Sequence, residues 1–207
     1  MEKCPHYSVM KEAFQKMEEC EGLILGVTTF NMAPNALAKN FLDHLCFLMH
    51  RPHFFRNKAM VVSTTGGVFA EKAVNYVAGT LKGFGYNRCY KLPIAAYSWN
   101  DYRISQKDAI RIAKATTAFY KDVASGKLHS PELGLMIPYN LFRGMSLAYV
   151  RGTEFETEDG NYWTETSRAN STYDTLVPVP FYKKVFGKLF YQIGKMAGKH
   201  LTVTYKK

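Results

Sequence analysis

Apolar residues along this chain follow two alternating rhythms: short unbroken runs, and longer stretches where they recur every three or four positions. Leu23, Ile24, Leu25, Gly26 and Val27 make the first run, too short for a helix and apolar enough for a strand covered on both faces. Residues 22–28 are therefore a predicted strand. AMVVST after Lys58 predicts a second over 58–63, and residues 88–95 a third whose pairing Pro93 limits. Helical spacing fills the intervals. Ser8 is placed to cap a helix reaching about Cys20, with Val9, Ala13, Phe14 and Met17 on its apolar side. Pro34 suits the first turn of a helix to about His50, with Leu37, Phe41, Leu45 and Leu48 recurring along it. Ala70 to about Phe84 reads as the next helix, ended by Gly85, and Ser105 with Asp108 resembles a capping box opening a helix that stops at Gly126. Strands alternating with helices imply right-handed crossovers and a parallel sheet.

From about Ser130 the pattern changes, which divides the chain into residues 1–128 and an extension over 129–207. Leu133, Met136, Ile137, Leu141 and Met145 predict a helix there. Residues 152–175 are polar and turn-rich, with Tyr162, Trp163 and Tyr173 as anchors. A last helix runs from Phe181 to about Lys199, and LTVTY at 201–205 alternates like a short strand.

The chemistry concentrates where the first two strands end. Thr28, Thr29, Phe30 and Asn31 read as a loop with Met32 beside it, and ligands in open α/β sheets bind beyond the carboxyl ends of strands. The second strand runs into Thr64, Thr65, Gly66 and Gly67, where glycine allows close backbone approach to a ligand. Each loop has a plainer reading: Phe30 as core and Asn31 as a turn former, Thr64–Gly67 as an ordinary strand-to-helix turn.

Taken in order, Phe30 and Asn31, the helix residues Lys39, Asn40, Phe41, Leu42 and Asp43, and the Thr64–Gly67 turn resemble the flavodoxin-like NAD(P)H-dependent FMN reductases, including their iron–sulfur branch. The resemblance runs from about residue 8 to 125 and more weakly to the C-terminus. It implies an α/β fold of flavodoxin-like type with a parallel sheet that is N-terminally incomplete, its strands matching the third to fifth. The family's first strand, phosphate loop, first helix and second strand have no counterpart before residue 8. It further implies an FMN cofactor, NAD(P)H as electron donor, and a quinone, flavin or protein as acceptor. On the analogy Thr28, Thr29, Phe30, Asn31, Met32, Thr64, Thr65, Gly66 and Gly67 form the cofactor site, although Val27 and Thr28 stand where the family usually has Ser-Pro. Without the phosphate loop FMN binding should be weak. The alternative is a non-catalytic interaction subunit or fragment that has lost FMN.

Without its missing neighbour the strand at 22–28 has an open edge, and a long apolar edge invites association. The expected cover is an upstream segment, a second copy, another partner, or residues 201–205. Lys39 and Asp43, at i and i+4, read as a simple helical ion pair. His44, His50 and His53, near Phe54 and Phe55, lack the spacing of a zinc helix and read as loop or subunit-interface residues. No Ser-His-Asp or paired-carboxylate set can be assembled. That suits a flavin enzyme, because the hydride chemistry belongs to the cofactor.

Composition narrows the rest. The chain has 207 residues, 47% hydrophobic, with no apolar run near the roughly 18 residues of a membrane span. MEKCPHYS lacks the apolar core of a secretory signal, so a cytoplasmic setting is expected. Cys4, Cys20, Cys46 and Cys89 are scattered without a CxxC pair, so neither a metal cluster nor disulfides are expected. The net charge of +10 is concentrated toward the end: no acidic residue follows Asp174, while Lys183, Lys184, Lys188, Lys195, Lys199, Lys206 and Lys207 do. No nucleic-acid motif accompanies it, and nucleic acid is not an expected partner. In the last helix Tyr182, Val185, Phe186, Leu189, Phe190, Ile193, Met196 and Ala197 share one broad face. Docking of that face against protein is expected ahead of contact with an anionic membrane.

Overall fold

The computed structural model describes residues 7–97, 102–150, 152–153 and 156–200. They fall into two compact units, Met1–Met49 with Arg56–Lys127, and His50–Phe55 with Leu128–Lys207. Cys4 and the predicted strand at 201–205 lie outside the described residues.

The first unit contains α1 (Tyr7–Glu19), β1 (Gly22–Phe30), β2 (Ala33–Pro34), α2 (Ala36–His44), α3 (Phe47–His50, whose last residue belongs to the other unit), β3 (Lys58–Thr65), α4 (Ala70–Gly83), β4 (Arg88–Ala95) and α5 (Gln106–Ser125). The sheet order is β2-β1-β3-β4. β1, β3 and β4 are parallel, with Gly22 opposite Lys58 and Lys58 opposite Arg88, so their carboxyl ends finish together. β4 is an edge strand, which is where a strand proline is tolerated.

Packing follows the pleat. Ala59 and Val61 are fully buried, and α4 contributes Ala73, Val74, Val77, Ala78 and Leu81 to the core. The other sheet face carries Gly22 and Tyr90. There α5 brings Phe119, whose ring centroid lies 5.8 Å from that of Tyr90, while Asp122 accepts the Tyr90 hydroxyl at 3.0 Å. Further along β1 on that face Ile24 is 59% exposed. Ser105 caps α5, its Oγ accepting the Asp108 N–H at 3.0 Å, and Gly126 ends the helix at φ +61°.

Four expectations change. Ser8 lies inside α1 and does not cap it; the helix buries Met10 and Met17 and leaves Val9 exposed. β1 continues through Thr28, Thr29 and Phe30, which are strand and not loop, because Thr29 and Phe30 pair with Pro34 and Ala33. Pro34 accordingly sits in β2. The helix begins after an Asn35 cap and breaks at Leu45–Cys46 into α2 and α3, with Ala38 and Leu42 inward and Leu37 79% exposed.

Lys58 is 1% exposed, and its Nζ donates to the Arg56 carbonyl at 3.1 Å. Burial holds its ammonium below the ordinary lysine range, with Asp122 opposing the shift. Between the folded and unfolded values the unfolded chain binds more protons, so this group's contribution to stability rises with pH across that window. Lys58→Met should therefore raise stability near neutral pH by about 1 kcal/mol, an advantage that shrinks toward the ordinary lysine titration range. A lower melting temperature at neutral pH would refute this.

The second unit contains α6 (Leu133–Met145), a 3₁₀ turn over Ser146–Tyr149, α7 (Glu158–Thr164), α8 (Thr166–Ala169) and α9 (Phe181–Gly198). Its core is Phe55, Met136, Tyr139, Trp163, Tyr173 and Val177. The Tyr139 and Trp163 rings meet edge-on at 4.7 Å, and Phe55 meets Tyr173 at 5.4 Å. Buried Asn140 donates to the carbonyls of Met136 and Thr172 at 2.8 and 2.9 Å. Arg143 donates to Ala169 O at 2.8 Å, its guanidinium 4.1 Å from the Tyr191 ring centre. Such partners offset the cost of burying polar groups.

His50–Phe55 is part of this unit, a change from the division at residue 128. Phe54 and Phe55 are buried, Tyr162 donates its hydroxyl to Pro52 O, and His50 stacks on Phe142 at 4.6 Å. Asp159 receives both His50 Nδ1 at 3.0 Å and Arg51 Nε at 3.3 Å.

α9 departs most from expectation. It does dock against protein, but through glycine: Gly187, Gly194 and Gly198 are buried, and a Cβ at Gly198 would lie 2.9 Å from Met145 O of α6. Of the predicted apolar face, Phe186 packs at the aromatic core, while Tyr182, Val185, Leu189, Ile193 and Met196 are exposed.

Candidate functional site

Parallel register brings the two predicted loops together at one end of the first unit. Thr28 of β1 lies opposite Thr64 of β3, and the Thr29 and Ser63 hydroxyls are 2.7 Å apart. Asn35, missed in the sequence reading, fixes the end of β1. Its backbone N–H donates to Thr28 O at 3.1 Å, its Nδ2 donates to Thr28 Oγ1 at 2.6 Å, and its Oδ1 accepts the Ala38 N–H at 2.8 Å. One side chain therefore caps α2 and holds the strand. An Asn just before a helical pattern is the signal that would have found it.

Between Phe30 and Ala33 the chain reverses in two residues, Asn31 at φ +51° and Met32 at φ +63°. A two-residue hairpin with positive φ at both positions matches strand twist and normally takes Asn-Gly. Asn tolerates this region; Met does not. Two further residues with side chains adopt it: Phe69 at φ +71°, before α4, and Tyr97 at φ +51°, after β4. Among the described residues these four are the non-glycine positions with positive φ, and all follow the carboxyl ends of the three parallel strands. Each costs about 1–2 kcal/mol, and such strain gathers where a binding surface needs a particular backbone shape.

The side chains there are open to solvent. Phe30 is 64% exposed, and Met32, Val68, Phe69 and Tyr97 are exposed too. Lys72 joins the two loops, its Nζ 3.3 Å from Met32 Sδ and 4.8 Å from the Phe69 ring centre. In the turn after β3, Gly67 N–H donates to Thr65 Oγ1 at 3.4 Å, and a Cβ on Gly67 would meet nothing within 4 Å. Lys39 and Asp43 form an exposed ion pair away from this chemistry. Phe69, Lys72 and Tyr97 went unread in the sequence, since nothing in residue type marks a left-handed Phe or Tyr.

Residues 1–93 match the sequence model of the family described as NADPH-dependent FMN reductase. Over that stretch the chain is similar to the flavodoxin-like NAD(P)H-dependent FMN reductases. No curated protein matches the chain. The parallel β1-β3-β4 sheet with its alternating helices is consistent with a flavodoxin-like α/β fold. At the carboxyl end of that sheet stand the exposed Phe30, Met32 and Phe69 side chains and the Gly67 turn. Among the described residues Cys20, Cys46 and Cys89 are not joined in disulfides. Among the described residues no helix is long and apolar enough to cross a membrane.

Met32→Gly relieves left-handed strain and should stabilise the chain by about 1 kcal/mol while weakening flavin binding. Chemical denaturation and a flavin titration on the same variant check both halves. A variant that loses stability would contradict the strain.

Proposed function

We propose that this protein is an FMN-dependent NAD(P)H oxidoreductase, with the isoalloxazine ring seated at the carboxyl end of β1 and β3. The carrying observation is the gathering of all four described left-handed side-chain residues after the carboxyl ends of β1, β3 and β4, backed by the family match over residues 1–93. When bound, FMN would supply the hydride-acceptor chemistry, with a quinone, flavin or protein as the final electron acceptor. This chain's part is to bind and orient. Phe30 and Met32 offer the ring a face. The Asn31 amide and the turn backbone at Thr65 and Gly66 address its polar edge, Gly67 leaves room for its approach, and Thr28 and Thr29 hold the strand end beside them. Lys72, beside Met32, supplies a positive charge at the same end.

The test is NADPH oxidation by the full chain with added FMN, followed with and without Phe30→Ala. Turnover that needs both chain and FMN, with the FMN requirement raised about tenfold in the variant, supports the reading. A folded chain with no FMN-dependent turnover rejects the enzyme.

One observation favours a second reading, a non-catalytic interaction module. Among the described residues β1 is paired on its outer edge only from Thr28 to Phe30, and Ile24 is exposed in the strand before them. A second copy or another partner would cover it by strand addition. Sedimentation at several concentrations, with and without FMN, separates assembly from catalysis.

A further inference from the structure

α9 carries its glycines inward and its large apolar side chains outward. Tyr182, Val185, Leu189, Ile193 and Met196 are all exposed and recur every three or four residues, which makes one continuous stripe along an 18-residue helix. Lys184, Lys188, Lys195 and Lys199, exposed too, follow one flank of the stripe. The helix contains no acidic residue, and none follows Asp174 in the sequence. The Gly187, Gly194 and Gly198 face is occupied by α6, so the stripe is not the face that holds the unit together.

We propose that α9 is a peripheral docking surface for an anionic phospholipid bilayer. The helix lies in the interface plane with its stripe in the acyl boundary and its lysines on headgroup phosphates. Charge complementarity selects this occupant. A second copy meeting stripe to stripe would bring two lysine rows together with no carboxylate on either helix to pair them. Lysine stems also cover apolar surface while their ammonium groups reach polar headgroups. Contact is peripheral, since no described helix is long and apolar enough to span. The proposal stands apart from the flavin site.

The test is co-sedimentation of the full chain with vesicles of phosphatidylglycerol mixed into phosphatidylcholine, against pure phosphatidylcholine. Binding should appear with the anionic vesicles only and weaken with added salt. Lys188→Gln with Lys195→Gln should lower partitioning about thirtyfold, and Val185→Asn with Leu189→Asn should also lower it. All four side chains face solvent, so the melting temperature of each variant serves as the fold control. No binding, equal binding to neutral vesicles, or binding that the Val185/Leu189 variant leaves unchanged overturns the proposal. So does self-association that this variant abolishes while vesicles take up no protein.

Discussion

Gly194→Ala is expected to destabilise the second unit by about 3 kcal/mol, although alanine is the better helix former. A Cβ at Gly194 would lie far inside van der Waals contact of the Leu141 carbonyl oxygen, and the clash is reciprocal: one on Gly144 would fall 2.7 Å from Lys195 N. Both obstacles are backbone, so no side-chain rotation relieves them, and α6 and α9 would have to separate. Separation costs the packing of Asn140 against Gly187 and of Phe186 against the aromatic core. Gly79→Ala is the control. It lies exposed within α4 with nothing within 4 Å of a new Cβ, and should stabilise by about 1 kcal/mol. Urea midpoints of the two variants should move in opposite directions. Movement in the same direction would mean that α9 does not pack on α6 through glycine.

Trp163→Ala is the second large effect, about 3–5 kcal/mol. Trp163 is 1% exposed, with Tyr139 and Tyr162 edge-on at 4.7 and 4.8 Å. Truncation removes the ring's transfer free energy and both edge contacts, and leaves a cavity that Tyr139 cannot refill while Phe55 and Tyr173 hold it. Burial already pushes the neighbouring Tyr162 hydroxyl up to about 12, in keeping with the dryness of this core. Trp163→Phe should keep much of the stability. Loss of the near-ultraviolet dichroism of the second unit, with β-sheet signal retained, is the expected signature; a cost below about 1 kcal/mol would place Trp163 outside the core.

Local signals were legible in the sequence and contacts between distant segments were not. Residues 88–95 and the Ser105-to-Gly126 helix matched because each carries its own punctuation, Pro93 on an edge strand and caps at both helix ends. Thr28–Phe30 read as loop because their pairing comes from Ala33 and Pro34, and a proline there looks like a helix start until the Asn35 cap is seen. Residues 50–55 carried an aromatic signal with no address, since Tyr139 and Tyr173 that meet Phe55 lie far along the chain. The face of α9 was misjudged for a related reason. Hydrophobicity marks the stripe of largest side chains, whereas close helix contact selects the smallest, and Gly144 opposite reveals that only once α6 is in place. That the segments after Val27 and after Ser63 lie side by side was legible from their order and spacing. Its strained backbone at Met32, Phe69 and Tyr97 was not, because dihedral angles at such residues follow tertiary context.

The central claim is that the carboxyl end of β1 and β3 binds the flavin ring, and a fluorescence titration of FMN with the purified full chain tests it most directly. The account predicts saturable quenching of flavin emission, weakened at least about tenfold by Gly67→Val. That variant projects a side chain into the space beside the turn, where a Cβ meets nothing of the protein within 4 Å, and should leave the melting temperature unchanged. Absence of saturable quenching by a folded chain, or quenching that Gly67→Val leaves unaltered, would contradict the account.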